Sequence, residues 1–168
     1  MSRLEETYLE LVRENEARLR RLCRVYASGA DAEEDLYQDI LVQLWRALPS
    51  FRGEARASTW LYRIALNTAL MHRRSQRARP EVPLEPAHEP PATDTPPDER
   101  VDVCRRRERL YAAIGRLGDV DRAVVMLHLE GHSHREISEV LGISENNAGV
   151  KLHRIRRRLA GWLKEDTP

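Results

Sequence analysis

Apolar residues recur every three or four positions through most of the 168-residue chain, which is the spacing of amphipathic helices. The pattern is clearest in residues 133–160, which read as a helix, a tight turn and a second, strongly basic helix. Ser133 and Glu136 have the spacing of a capping box, so the first of these helices should begin there. Gly142 should end it in a left-handed conformation, and Ser144 is placed to cap the second helix. This arrangement predicts a helix-turn-helix.

The second helix of this pair has one apolar face, suited to a core, and one face of amides and cations. Amides and cations on an exposed helix read base edges and hold phosphates, so we expect this helix to enter the major groove of DNA. A basic, solvated helix on a small bundle would show the same periodicity, but the Leu-Gly-Ile-Ser turn favours DNA binding. The predicted contacts are Ser144, Asn146, Asn147, Lys151, His153, Arg154, Arg157 and Arg158.

The first half of the chain contains three amphipathic stretches, enough for one compact helical domain. Asp31 is placed to cap the second stretch, whose buried face should include Trp45. The buried face of the third should include Trp60 and Met71. The three predicted helices cover residues 3–28, about 32–48, and from Ser58 or Thr59 to about Arg77.

A proline-rich stretch separates this domain from a second helical one. Residues 78–99 contain seven of the nine prolines and almost no large apolar residue, a composition typical of an extended or disordered linker. Two more helices are expected between residue 100 and the helix-turn-helix, and no strand-like alternation of any length occurs. The predicted fold is therefore all-α, with two small helical domains, residues 1–77 and 100–168, joined by the linker.

Charge is sorted along the chain although the net charge is only +1. Residues 31–39 hold five acids and no base, whereas residues 49–79 hold seven arginines against Glu54 alone. Segregation of this kind is compatible with a nucleic-acid binder. Cys23 and Cys104 are isolated, which indicates a reducing cytoplasm and no disulfide framework. No apolar run approaches the ~20 residues of a membrane span, so we expect no membrane insertion, and no signal peptide is evident.

Catalytic signatures are weak in this sequence. His128, His132 and His134 could suggest a metal site, but they straddle a helix end and a turn, and no carboxylate or thiolate completes a ligand set. The sequence shows no phosphate-binding glycine loop with lysine and no defensible nucleophile–histidine arrangement. We therefore expect a binding protein without enzymatic activity, metal or cofactor, and keep a metal-dependent nuclease as an alternative that metal analysis would test.

Two blocks of sequence, taken in order, resemble a single family. The first is EDLYQD…LW followed by SFRGEARASTWLYRIALNTAL; the second, beyond the prolines, is LEGHSHREISEVLGIS…VKLHRIRRRL. Together they resemble the bacterial sigma factors of the extracytoplasmic-function (ECF) subfamily, over essentially the whole chain outside the linker and the extreme ends. The resemblance implies a factor that binds core RNA polymerase and directs promoter recognition and strand opening. In this family an anti-sigma factor often covers the docking and DNA surfaces, so such a protein is a further implied partner.

The resemblance also implies roles for residues of the first domain. An acidic helix in the family docks on core polymerase, and its D-x-x-Q-(D/E) pattern falls on Asp35, Gln38 and Asp39. A capped helix start with a solvated acidic face would look similar, but these residues lie one turn apart and form a compact acceptor patch for a basic partner. The next block corresponds to the part that melts and reads the minus-ten element, where cations hold the backbone and aromatic rings stack on bases. The residues implicated there are Phe51, Arg52, Arg56, Tyr62, Arg63, Asn67, Arg73 and Arg74.

The second domain would then read the minus-35 element, and it departs from the family in two places. Gly118 stands where a proline is usual, with Asp119 still placed to cap the following helix. Gly149 stands near the start of the recognition helix and costs about 1 kcal/mol of helix propensity relative to alanine; it either allows close approach to DNA or is simply tolerated. A dimeric helix-turn-helix repressor, or a response-regulator-like activator, is the alternative among binding proteins, but it leaves the first block unexplained.

Overall fold

The computed structural model describes residues 2–53, 56–78 and 99–165, which form seven α-helices and one 3-10 turn, Leu48–Ser50, without a strand. The all-α prediction is confirmed. The stretch predicted to be a linker lies outside the described residues, apart from its first and last positions. The helices are α1 (Arg3–Tyr26), α2 (Ala30–Ala47), α3 (Ala57–Ala78), α4 (Glu99–Gly115), α5 (Asp119–Leu129), α6 (His134–Leu141) and α7 (Glu145–Glu165).

Helices α1, α2 and α3 pack on one another and form the first helical domain. Helix α1 begins with a capping box, in which the Ser2 hydroxyl accepts from the Glu5 amide at 3.3 Å and the Glu5 carboxylate accepts from the Ser2 amide at 2.7 Å. One face of each helix supplies the core because apolar residues recur there at helical spacing. The fully buried leucines and isoleucine of this core are Leu19, Leu22, Leu36, Ile40, Leu44, Leu61 and Leu66.

Two predicted helix caps are wrong. Helix α2 follows Gly29, whose φ of 95° turns the chain, and no side chain caps this end. Asp31 lies inside the first turn instead, where a carboxylate still interacts favourably with the helix dipole. Likewise Gly118 occupies the N-cap position of α5 without a side-chain bond, and Asp119 is the first helical residue.

Two side chains that were predicted to be buried are exposed. Trp45 is 40% exposed and Met71 is 69% exposed. Both lie on helices of a three-helix domain, in which each helix has neighbours on only part of its circumference, so the edge of an apolar stripe stays in solvent. Trp60 is only half-buried, with its ring centroid 4.7 Å from that of Phe51.

Helices α5, α6 and α7, with α4 against α7, form the second domain, and its helix-turn-helix is confirmed at α6 and α7. Ser133 and Glu136 make the expected capping box, and the bonds from Ser133 lower the pKa of the Glu136 carboxyl. Gly142 adopts the left-handed conformation with φ 67°, and the Ser144 hydroxyl accepts from the Asn147 amide at 3.2 Å. The buried stripe of α7 consists of Ala148, Leu152, Ile155 and Leu159.

A buried arginine closes the end of α4. Arg122 is 1% exposed, and its guanidinium donates to the carbonyls of Gly115 and Leu117. Those carbonyls are at the negative end of a helix, where a cation is favourable. The same guanidinium lies over the ring of Tyr26 from the first domain, 5.1 Å from its centroid.

Among the described residues, none of the helices combines the length and the apolar character that a membrane span requires.

Candidate polymerase and DNA interfaces

Glu130, at the end of α5, holds the two domains together through ion pairs with α1. Its side chain is only 4% exposed, and its carboxylate accepts from Arg21 Nε and Nη2, both at 2.9 Å. Arg18 Nε lies 3.2 Å from the same carboxylate. A buried carboxylate is costly without such partners, so Glu130 depends on the contact between α1 and the second domain.

Arginines predicted to contact minus-ten DNA take part in the same interdomain contact. Each meets an acidic side chain or a backbone carbonyl of the second domain. The pairs are Arg56 Nη1 with Glu136 Oε1 at 3.8 Å, Arg63 Nη2 with the Glu139 carbonyl at 3.2 Å, and Arg73 Nε with Asp119 Oδ1 at 3.3 Å. In this arrangement, called closed because the two domains are in contact, Arg56 and Arg73 face acids of the second domain and Arg63 faces a backbone carbonyl.

Tyr62, also predicted to lie near DNA, is 1% exposed and packs beside His132, with ring centroids 5.7 Å apart. Burial raises the pKa of the Tyr62 hydroxyl well above its ordinary value, and burial lowers the pKa of His132 below 6.5, so both are uncharged at neutral pH. Within the described part of the chain the Tyr62 hydroxyl has no hydrogen-bond partner. Because Tyr62 is buried in the closed arrangement, it can reach DNA only if the domains separate.

The other residues predicted for the minus-ten element remain accessible. Arg52, Asn67 and Arg74 are exposed, and Phe51 is half-buried. Asn67 lines a groove between α2 and α3 together with the exposed Met71.

The predicted docking residues form an exposed strip on α2. Asp35, Gln38 and Asp39 are all exposed. Within the domain, Gln38 donates to Glu34 at 2.8 Å, and His72 Nδ1 of α3 lies 3.4 Å from Asp39 Oδ2.

Sequence reasoning missed the apolar continuation of this strip. Val42 and Trp45 follow it by one and two helical turns and are 46% and 40% exposed. The Trp45 ring meets Tyr8 of α1 edge to face, with centroids 5.2 Å apart. The available signal was the spacing of these residues from Asp35 and Gln38, but the sequence favours a buried position for any tryptophan in an apolar stripe.

Only some of the residues predicted for the DNA-reading face of α7 lie along one strip of the helix. Asn146, His153 and Arg154 are exposed and line one shallow depression. The same depression is lined by Glu145, Gly149 and Val150 of this helix and by His134 of α6. The spacing of the α7 residues, three and four positions, places them along one strip of the helix.

Lys151 and Arg158 lie to one side of that strip, near α5. Lys151 Nζ lies 2.9 Å from Asp121 Oδ1, and Arg158 Nη1 lies 3.6 Å from Asp121 Oδ2. Both cations therefore share an acidic partner of their own domain. A role for Lys151 in base reading requires that this pair opens.

Alanine at Gly149 is expected to stabilise the protein, by up to about 1 kcal/mol, because glycine is a poor helix former. A Cβ there would meet only the His134 ring, at 3.6 Å, which is ordinary van der Waals contact. The matched control is Gly142→Ala, which should destabilise by about 1–2 kcal/mol because φ there is 67°. Denaturant unfolding of both variants measures the difference, and a destabilised Gly149→Ala protein would contradict the expectation.

A basic helix-turn-helix packed against a three-helix domain with an exposed acidic strip defines a class, the DNA-binding initiation subunits of RNA polymerase. Family models agree: Sigma-70 region 2 matches residues 11–79 and Sigma-70 region 4 matches residues 107–159. The chain is 31% identical over 155 residues to the ECF RNA polymerase sigma factor SigM of Mycobacterium tuberculosis, covering 92% of this chain and 76% of that protein. It is 32% identical over 156 residues to SigE of Mycolicibacterium smegmatis, covering 92% of this chain and 60% of that one.

The chain belongs to the ECF subfamily of sigma-70 factors. It is a regulatory subunit that binds core RNA polymerase and promoter DNA and directs transcription initiation. Membership decides against the repressor interpretation.

Solved structures share the fold at low identity. CnrH in complex with the cytosolic domain of CnrY has a TM-score of 0.68 at 24% identity, covering 97% of this chain and 91% of that one. RpoE from Bartonella quintana, in complex with the anti-sigma factor NepR, has a TM-score of 0.67 at 23% identity, covering 96% and 97%.

Proposed function

We propose that residues 1–77 dock on core polymerase and open the minus-ten element, and that residues 100–168 read the minus-35 element. The observation that carries the second assignment is the exposed strip of α7, on which Asn146, His153 and Arg154 line one depression. Amide, imidazole and guanidinium groups match the hydrogen-bonding edges of bases in the major groove. The chain itself supplies binding energy for strand opening, the polymerase performs the chemistry, and the factor works in the cytoplasm.

Docking on polymerase is assigned to the strip of α2. Asp35, Gln38 and Asp39 supply acceptors for a basic partner, while Val42 and Trp45 supply apolar contact area beside them. Tryptophan is enriched among residues that dominate binding energy, and charges at the rim of an interface confer specificity and register. The combination is therefore suited to a specific protein–protein interface.

The closed arrangement keeps the free factor from binding promoters well. Arg63 and Arg73 contact the second domain, and Tyr62 is buried beside His132 of that domain. Arg56 lies 3.8 Å from Glu136, with its side chain still 82% exposed. Polymerase binding would have to separate the domains and hold them at the spacing of the two promoter elements. An anti-sigma factor that binds both domains at once would stabilise the closed arrangement, and the two solved relatives were each captured with a protein partner.

Arg154→Ala is expected to cost ~1–3 kcal/mol of promoter binding and to relax base preference at particular upstream positions, because Arg154 lies on the reading strip. Arg157→Ala is the matched control. It lies one turn further along α7, where a helix crossing the groove rises toward the backbone, so it should weaken all sequences evenly and lower the salt slope by about one. Holoenzyme binding to single-base promoter variants at two salt concentrations measures both effects. Uniform losses in both variants would show that α7 only holds phosphates.

A further inference from the structure

We propose that Val150 reads the 5-methyl group of a thymine in the upstream promoter element. The inference rests on the proposed role of α7 as the DNA-reading helix. It adds a chemical specificity that none of the hydrogen-bonding residues on that helix can supply.

Val150 occupies the middle of the reading strip. It lies one helical turn after Asn146 and one turn before Arg154, and it lines the same depression as both. Its side chain is apolar and 42% exposed, whereas its immediate neighbours on the strip are polar or lack a side chain. A helix that enters the major groove at Asn146 and Arg154 therefore brings Val150 against the base edges between them.

Gly149, the neighbour of Val150 on α7, faces the His134 ring of α6. Gly149 has no side chain, and a Cβ at that position would first meet the His134 ring, at 3.6 Å. Gly149 therefore adds no side chain of α7 beside Val150, and the His134 ring borders that side. The β-branched side chain has few rotamers in a helix, so its methyl groups are held in a fixed direction.

The chemistry of the groove selects the partner. In the major groove the four base pairs differ in donors and acceptors, but among the bases only thymine presents an apolar group, its 5-methyl. An exposed valine gains little in water and is a weaker helix former than alanine or lysine. Desolvation against a thymine methyl gives this side chain a favourable environment that no other base offers.

The test uses holoenzyme reconstituted from the full chain and core polymerase. A promoter is first selected by this holoenzyme from a randomised pool, and each thymine of the upstream element, on either strand, is then replaced by uracil, which removes only the methyl group. At one thymine the unchanged factor should lose about fourfold in affinity, the effect of one buried methyl group. Val150→Ala, which keeps only the Cβ, should lose most of this difference between the thymine and uracil promoters.

Val120→Ala is the matched control, since Val120 is 49% exposed but lies on α5, away from the strip. It should retain the full difference between thymine and uracil. The inference is overturned if no upstream thymine is selected, if no uracil substitution weakens binding, or if most of the difference survives in Val150→Ala. Arg154→Ala distinguishes failure of this inference from failure of the proposed reading role of α7. If Arg154→Ala relaxes base preference while uracil has no effect, α7 reads DNA without Val150. If Arg154→Ala relaxes no base preference, the proposed reading role of α7 fails as well.

Discussion

Core RNA polymerase should bind the Asp35→Arg/Asp39→Arg double variant about a hundredfold more weakly than the unchanged factor. Both carboxylates are exposed on α2, and reversing them sets like charges against a basic partner, which costs several kcal/mol at ~1.4 kcal/mol per tenfold. Asp39 also faces His72 at 3.4 Å, so a far-ultraviolet melt should accompany the titration to confirm that the domain remains folded. The measurement is a fluorescence titration of labelled factor with core polymerase.

The matched control is Glu10→Arg/Glu14→Arg on α1. It makes the same change in net charge at two exposed acids one turn apart, but on a helix to which no docking role is assigned. Its affinity should fall only slightly. Equal losses in the two double variants would mean that overall charge, not the α2 strip, governs docking; full affinity in the Asp35/Asp39 variant would remove α2 from the interface.

The second large effect is expected at Glu130. Glu130→Gln keeps the shape of the side chain but removes the charge that holds Arg18 and Arg21. These arginine side chains are 40% and 30% exposed and can return to water, so the loss should fall on the interdomain contact more than on either domain. We expect the free factor to expand and to bind promoter DNA about tenfold more tightly. Small-angle scattering and a DNA titration without polymerase measure the two effects.

Glu139→Gln provides the comparison for Glu130. Its carboxylate pairs with Arg135 within α6 at 3.1 Å, and the bond from Arg63 goes to its backbone carbonyl, which the substitution keeps. The charge change is therefore the same, but the interdomain pairs remain. An unchanged radius of gyration in Glu130→Gln, or equal expansion in both variants, would show that the Glu130 cluster does not control domain separation.

The start of a helix was predictable where two side chains formed a capping box. The Ser133 hydroxyl accepts from the Glu136 amide, and the Glu136 carboxylate accepts from the Ser133 amide. The structure contains both bonds. Asp31 and Asp119 were misassigned because an acid is favourable both at the cap and in the first turn. The position of an isolated aspartate is therefore ambiguous by a residue or two, whereas a capping box fixes it.

Burial at the edges of the stripes could not be predicted in the same way. Trp45 and Met71 fit the apolar stripes of α2 and α3 but are exposed, because the neighbouring helices cover only the centre of each stripe. The sequence identifies which residues share a face, but the width of the covered zone depends on how the helices pack. For this reason the exposure of Val42 and Trp45, at the apolar end of the α2 strip, could be read only from the structure.

The sequence by itself determined the helix-turn-helix, the family and the pattern of seven helices in the described part of the chain, because periodicity and caps depend on residues three or four positions apart. Only the tertiary structure decided which arginines and lysines form ion pairs. Arg21 and Glu130 are 109 positions apart, and Lys151 and Asp121 are 30 apart, so their pairing depends on how helices meet in space. In the sequence, Arg73 and Arg74 are equivalent basic residues. In the folded chain Arg73 faces Asp119 and Arg74 faces solvent, because adjacent residues point about 100° apart around a helix.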